Sequence, residues 1–470
     1  MDITRHTTDL EQFRYRLYQN FDNRADTLME LVDALCSYPQ ADSVVAYSLS
    51  SLFRRSYSTI SKALSEMRLA EMALPHLLLP HLPHPRQRPF WLLLLDVTPQ
   101  PRPYAQVVPD RGLVYAPTVV KGNRPVTIGH EYASVALGLE SEAEVSASWV
   151  LPLLTQRVAS EADKELVGAA QIDALLTDPS LPFGQEFCVE VGDTSYSKPA
   201  YLQAHRRHPN LVTIARVRSN RTFYHPAGPQ ERAPVCAGHP TWYGEPFSLA
   251  DPATWTTPDE EVTLWETSRR GKRQRVELQA WHNLLMRGKQ KPQRLPMHTY
   301  PFTLVRIVRY DEEGNPLYKR PLWLLVMGDR RDELTLMHSY HAYAERFDLE
   351  HFFRFGKQKL SMAAFQTPDL QPEENWWQLT HIAYAQLWMA RHVAEALPRP
   401  WERNLPVIKQ RRLSPTLAQR DFGRIVQQLG TPAQPPKPRG IAPGRRKGAK
   451  LPKRPYQPVV VKRQHAAKAA

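Results

Sequence analysis

Two mostly apolar runs, each followed by an aspartate, constrain the fold of this chain more than any other feature. Residues 90–95 precede Asp96, and residues 187–192 precede Asp193. Apolar runs without alternation are typical of strands that are buried on both faces. With strand patterns elsewhere and helical patterns between them, they predict a mixed α/β sheet flanked by helices, with both acids at one rim. An aspartate at a strand end is also a common cap or turn residue, so each acid alone is weak evidence.

Shorter patterns complete this prediction. Further strands are expected at 126–139, 145–154, 211–217, 302–310 and 322–327, a hairpin at 107–114, and helices at 157–177, 198–205 and 376–394.

A helical pattern near the C-terminus places four polar side chains on one face. At about 100° per residue, Tyr343, Arg346, Glu350 and Lys357 fall within a stripe of about 60°. The stripe combines one acid, which could bind a metal ion, with three groups that could hold a phosphate. The alternative is an ordinary solvated helix face, since Glu and Arg four residues apart often pair on helix surfaces.

Together, these residues have the chemistry for metal-assisted cutting of nucleic acid. Asp96, Asp193 and Glu350 are expected to be catalytic and to bind two Mg²⁺ ions, for which Mn²⁺ would substitute. Arg346 would grip the phosphate beside the cut through two hydrogen bonds and Lys357 as a point charge, with Tyr343 as a third phosphate-binding group.

Charge and cysteine content narrow the class of protein. The net charge is +14 over 470 residues, and residues 431–470 contain eleven Lys and Arg and no acid, so the rest carries only +3 (14 − 11). We expect a disordered basic tail that contacts nucleic acid, although it could simply be a solubilising end. Cys36, Cys188 and Cys236 show no paired spacing, which fits a reducing cytosol. The sequence shows neither a membrane span nor a signal peptide, so no membrane partner is expected.

Composition shifts suggest six segments. A helical, DNA-binding domain is expected at 1–74, where residues 50–64 resemble the second half of a helix-turn-helix; an ordinary helical bundle is the alternative. The others are a Pro-rich linker (75–89), the first part of a catalytic core (90–220), a β-rich insertion (221–299), the second part of the core (300–395) and a basic Pro-rich tail (396–470).

The spacing Tyr343-x₂-Arg346-x₃-Glu350-x₆-Lys357 resembles the YREK signature of bacterial insertion-sequence transposases with a DDE catalytic triad. Asp96 and Asp193 resemble the first two acids of that triad, and the resemblance covers about residues 90–395. It implies a ribonuclease H-like core, cut-and-paste DNA transposition, and homodimers that pair two transposon ends and act on a target DNA. It also implies a bacterial protein of the cytoplasm, associated with the nucleoid.

Some members of that group form DNA hairpins and stabilise a flipped base with a tryptophan from the insertion. The resemblance makes four tryptophans candidates, although packing in a core is the more common role for any one of them: Trp242, Trp255, Trp265 and Trp281.

Two other functions remain open. One is a ribonuclease H-like nuclease that cuts DNA without joining it. The other is a domesticated transposase that only binds DNA, against which the intact acids and intact signature argue.

Overall fold

The computed structural model describes residues 3–116, 125–140, 149–228, 241–268, 271–289, 294–396, 413–438, 444, 446–450 and 452–462. The α-helices are α1 (Ile3–Gln19), α2 (Ala25–Ser37), α3 (Ser58–Glu66), α4 (Ala73–Leu78), α5 (Lys164–Thr177), α6 (Pro199–Ala204), α7 (Leu336–Lys359), α8 (Leu370–Ala396) and α9 (Pro415–Leu429). The strands are β1 (Trp91–Pro101), β2 (Gly112–Tyr115), β3 (Val126–Gly138), β4 (Val150–Val158), β5 (Cys188–Gly192), β6 (Leu211–Val217), β7 (Thr222–Pro226), β8 (Tyr243–Ser248), β9 (Glu260–Thr267), β10 (Arg273–Leu284), β11 (Gly288–Lys289), β12 (Arg294–Leu295), β13 (Phe302–Tyr310) and β14 (Leu322–Met327).

The chain divides into two compact units. The first comprises Met1–Pro83, Val97–Lys164 and Glu350–Ala470, and the second comprises His84–Asp96 and Glu165–Leu349. Strand β1 and helix α7 each pass from one unit to the other along their length. The six-segment division stays a prediction.

The second unit is built on a large mixed sheet with the strand order β1-β5-β6-β14-β13-β10-β9. Strands β1, β5 and β6 are parallel, and the others pair antiparallel. Helix α5 lies beside β1, where a Cβ atom at Gly168 would be 3.4 Å from Leu95 and, more tightly, 3.1 Å from the ring of Tyr196. The predicted class, a mixed α/β sheet flanked by helices and consistent with a ribonuclease H-like fold, is confirmed.

The β-rich insertion is continuous with this sheet, which the sequence pattern did not indicate. β10 pairs along most of its length with β13, and β9 pairs with β10, so both strands extend the sheet. β7 and β8 form a separate two-stranded sheet, as do β11 and β12. The pairing follows from burial: Val276, Leu278 and Ala280 alternate along β10 and are fully buried.

In the first unit, helix α8 is buried on nearly every side. Helices α1, α2, α3 and α9 and strand β4 pack around it. A helix that is covered all round must pair its polar groups, and Glu373 of α8 does so with Arg102, His130 and Tyr132.

The N-terminal segment does not present its two arginines as the helix-turn-helix interpretation expects. Residues 50–57 form no α-helix, and α3 begins at Ser58. Arg54 and Arg55 both form ion pairs with the fully buried Glu30 of α2. Their guanidinium groups therefore anchor the segment to α2, and the DNA-binding role of this region stays a prediction.

The first residues of the predicted Pro-rich linker lie in α4, because Pro75 is in the first turn, where a missing N–H breaks no helical hydrogen bond. Two other local predictions are wrong. The hairpin at 107–114 does not form, because β2 pairs with β3. The helix expected from 157 begins only at Lys164, because residues up to Val158 belong to β4.

The described part of the basic tail makes specific contacts. The N–H groups of Gln457 and Val460 donate to the carbonyls of Gln106 and Arg111, and Arg454 forms an ion pair with Asp369. The prediction of disorder is therefore wrong for this stretch. No helix in the described ranges is long and apolar enough to cross a membrane.

Candidate active site

The two aspartates lie at equivalent positions of two neighbouring parallel strands in the second unit. Leu94 of β1 pairs with Val191 of β5. Asp96 and Asp193 each come two residues later, so the parallel register places them side by side. Adjacent strands are about 4.8 Å apart, and residues two apart on a strand face the same side of a sheet. The register therefore brings the two acids together, as expected. The expectation that both end their strands is wrong for Asp96, because β1 continues to Pro101, whereas Asp193 directly follows β5.

The chain turns sharply after β5, and this turn orients Asp193. One carboxylate oxygen of Asp193 accepts a hydrogen bond of 2.7 Å from the N–H of Ser195, which caps the short 3₁₀ helix Thr194–Ser197. The ring of Tyr196 folds back against Gly192, where a Cβ atom would lie 2.5 Å from a ring carbon. Glycine at 192 is therefore required by this close approach.

The pKa of the Tyr196 hydroxyl is affected by both aspartates. It is buried, and its burial raises the pKa of its hydroxyl well above the usual value. Asp96 and then Asp193 raise this pKa further, because a phenolate would be repelled by both carboxylates. The two acids therefore act electrostatically on one group.

A buried network fixes β5 just before the turn. Glu190 accepts hydrogen bonds from Tyr201, at 2.8 Å, and from Thr213 of β6, and its other contact is His205. Burial alone would raise the pKa of Glu190, but these three partners hold it below its usual range. This network is absent from the sequence-based prediction, since its members are scattered over two strands and a helix.

Helix α7 places Arg346 on the first aspartate. Nη1 of Arg346 donates to Oδ2 of Asp96 at 3.0 Å, and the two side chains are only 9 % and 20 % exposed. The guanidinium group also lies over the rings of Tyr343 and Phe347. The stripe predicted from sequence thus brings its arginine to a predicted catalytic acid.

Tyr343 lies inside the second unit and is 4 % exposed. Burial raises the pKa of its hydroxyl, Arg346 and Arg216 oppose this change, and Asp193 adds to it. The phenol therefore lies within electrostatic reach of Arg346, Arg216 and Asp193, which are carried by three different elements.

Glu350 and Lys357 belong to the part of α7 that lies in the first unit. Glu350 is half-buried and follows Arg346 by about one helical turn. Nζ of Lys357 donates to Oγ1 of Thr98 at 2.6 Å and to the carbonyl of Pro99 at 3.0 Å, so it contacts the end of β1.

The donor set suits a hard cation only in part. Among the described residues, no group of three or more His, Cys, Asp or Glu side chains is arranged to hold a metal ion. The three-carboxylate site therefore stays a prediction. Asp96 and Asp193 supply two carboxylates on neighbouring strands, and proteins often bind divalent cations through one or two carboxylates together with water and substrate phosphates.

The four candidate tryptophans fall into two kinds. Trp281 is buried and Trp255 half-buried, and both pack in an aromatic cluster with Trp323. Trp242 and Trp265 are 41 % and 50 % exposed. Trp242 stacks on His298, and Arg273 lies over Trp265. Burial makes Trp281 a core residue.

Aspartates at paired positions of two adjacent parallel strands, in a mixed sheet flanked by helices, are consistent with the class of ribonuclease H-like enzymes that cut nucleic acids. The family model of the DDE superfamily endonucleases matches residues 16–288, which is more than half of the chain. The chain belongs to this family, so it is a nucleic-acid-cutting type of enzyme with DNA as its partner. A search of curated proteins found no match. The matched region contains Asp96 and Asp193 and ends before α7.

Proposed function

We propose that this protein is a DNA transposase that cuts DNA at the ends of an insertion sequence and joins those ends to a target. The observation that carries the proposal is the side-by-side placement of Asp96 and Asp193, with Arg346 bound to Asp96. The YREK spacing on α7 supports transposition over simple cutting. Such an enzyme acts as a homodimer that pairs two ends, and in a bacterium it works at the nucleoid.

Asp96, Asp193 and Glu350 are the proposed ligands of two Mg²⁺ ions, with Mn²⁺ as a substitute. When bound, the metal ions activate the attacking oxygen and neutralise charge that develops on the phosphate. The backbone N–H of Ser195 holds one oxygen of Asp193, so the orientation of this carboxylate is set before any ligand arrives. Preset orientation limits the reorganisation that the reaction requires.

Arg346, Lys357 and Tyr343 are the proposed phosphate-binding group. Arg346 is suited to the phosphate next to the cut, because its fork of donors matches phosphate oxygens. The burial of Tyr343 beneath the guanidinium group favours a supporting role, in which the ring holds Arg346 in place.

Cleavage without joining is the second candidate. It is favoured by the family match itself, which describes an endonuclease and stops before the YREK helix. A DNA-binding protein without activity is the third possibility, and loss of all cleavage would support it.

The test is an assay on the DNA that flanks the coding sequence, with supercoiled target DNA and Mg²⁺. A transposase should release the ends and insert them into the target. Cleaved ends without insertion would favour the nuclease, and no cleavage by a folded, DNA-binding protein would overturn both enzymatic proposals. Asp193→Asn is the matched inactive control.

A further inference from the structure

A third strand contributes a charged residue to the row that holds the two aspartates. Gly192 of β5 pairs with Ala215 of β6 in parallel register. The next residues along the two strands are Asp193 and Arg216, so the register places Arg216 beside Asp193 on the far side from Asp96. The row across β1, β5 and β6 therefore reads Asp96, Asp193, Arg216.

Arg216 differs from its neighbours on β6 because it is exposed. Leu211–Ala215 and Val217 are buried, whereas Arg216 reaches solvent. Within the described part of the chain, its guanidinium group makes no hydrogen bond or ion pair. It is nevertheless close enough to Tyr343 of α7 for its charge to act on that phenol.

Each of the two acids thus has an arginine beside it. Arg346 from α7 holds Asp96 at one end of the row, and Arg216 follows Asp193 at the other. Strands spaced about 4.8 Å apart put the backbone of Arg216 about 10 Å from that of Asp96. This spacing lets a polyanion lie across the row with one phosphate at the acids and a neighbouring one at Arg216.

We propose that Arg216 binds a DNA backbone phosphate adjacent to the one that is cut. This inference rests on the proposed function for its substrate, since it takes DNA to be bound over the row of Asp96, Asp193 and Arg216. The contact is with phosphate, because a side chain beside the proposed metal-binding acids meets the same DNA backbone that is cut there. It therefore positions the DNA and contributes no sequence preference.

The test measures binding of the full-length protein to two unrelated 30-bp duplexes at several salt concentrations. Losing one phosphate contact should reduce the slope of log affinity against log salt by about 0.9. For Arg216→Ala, the affinity advantage of the unaltered protein should then shrink by about 3.5-fold between 50 and 200 mM salt. Arg216→Lys should keep most of the slope, because the charge remains.

Arg207→Ala is the matched control. Arg207 is exposed, carries the same charge, lies just before β6 at the opposite rim and pairs with Asp173 on the surface. Its replacement should leave the slope unchanged. Equal slopes for Arg216→Ala, Arg207→Ala and the unaltered protein, on both duplexes, would overturn the inference.

The binding measurement does not depend on catalysis. If the unaltered protein binds DNA but neither cuts nor joins it with Mg²⁺, the proposed function fails. The slope of log affinity against log salt for Arg216→Ala still shows whether Arg216 contacts phosphate. If cleavage is intact and the slope is unchanged, only the role of Arg216 is wrong.

Discussion

At the scale of single residues, Arg346 and Asp96 are a mostly buried ion pair whose members cannot be exchanged freely. Removing one partner of such a pair leaves a charge that is neither solvated nor balanced. The same pair joins a proposed metal ligand to a proposed phosphate ligand. Substitutions at these two positions should therefore change both the free energy of unfolding and the rate of DNA cleavage, and the two effects can be measured separately.

Asp96→Asn and Asp193→Asn should each abolish metal-dependent cleavage and leave DNA binding largely intact. The amide keeps the shape of the carboxylate but lacks the negative charge that balances a metal ion. The same outcome is expected for Glu350→Gln. Cleavage gels and binding titrations on one DNA check this, and a variant that still cuts would remove its residue from the proposed site.

Arg346→Lys should lower cleavage of two unrelated end sequences to the same extent. Lysine preserves charge but cannot form the two-pronged contact with phosphate. Arg346→Ala should also lower the free energy of unfolding, by up to about 3–5 kcal/mol, because the ion pair with the mostly buried Asp96 would be lost. Kinetics and urea unfolding provide the two readouts. Full activity of Arg346→Lys on both DNAs would favour a purely structural pair.

At the scale of elements, α8 holds a histidine that should make the first unit sensitive to acid. His381 is fully buried, donates from Nδ1 to the carbonyl of Trp377 at 2.8 Å, and has Ser134 within hydrogen-bond distance of Nε2. Burial lowers its pKa from 6.5 to about 4. The neutral ring is therefore the form that this packing accepts.

The sign of the pH effect follows from proton counting. Between pH 6.5 and about 4, the unfolded chain binds a proton at His381 that the folded chain does not. Stability should therefore fall as the pH drops through this window, and this contribution should be constant above it. His381→Asn should flatten the dependence, as measured by urea unfolding at pH 4.5, 5.5 and 7. An unchanged dependence would assign acid sensitivity to other groups.

Elements with strong local patterns could be predicted from sequence. β6, β13 and β14 have the expected bounds, and β5 starts one residue later than expected. Elements whose partners lie far along the chain could not. The pairing of β10 with β13 and the start of α5 depend on contacts with distant parts of the chain. The local sequence pattern does not contain that information.

In the candidate site, too, residues that follow a local pattern could be predicted and contacts between distant residues could not. Its two aspartates were predictable because both end apolar runs. Arg216 ends a third run in the same way and could have been found by counting along the three strands from their first paired residues. The ion pair between Arg346 and Asp96 was not predicted, because a helical pattern shows which side chains share a face but not which residue that face contacts.

At the scale of the whole molecule, the positive charge is concentrated in the C-terminal segment, part of which is anchored. Arg454, Gln457 and Val460 make defined contacts, while Arg446, Lys447, Lys450 and Lys453 are exposed. The exposed bases are therefore available to a polyanion without loss of the anchoring contacts.

Replacing the four exposed bases by Gln should weaken DNA binding equally for all sequences. If all four release counterions, the slope of log affinity against log salt should fall by about 3.6, since each contact contributes about 0.9. Binding isotherms on two unrelated duplexes measure this. The replacement keeps the anchored residues, so an unchanged slope would show that this segment does not contribute to DNA affinity.

The separation of Asp96 from Arg346 also has a consequence during synthesis. The aspartate is made 250 residues before the arginine that neutralises it. At a translation rate of about 5–20 residues per second, the growing chain carries Asp96 without this partner for roughly 10–50 s. Contacts between residues so distant in the chain also form slowly, because a long loop must close first. A nascent chain therefore remains without its completed acid–arginine pair until most of the second unit has been made.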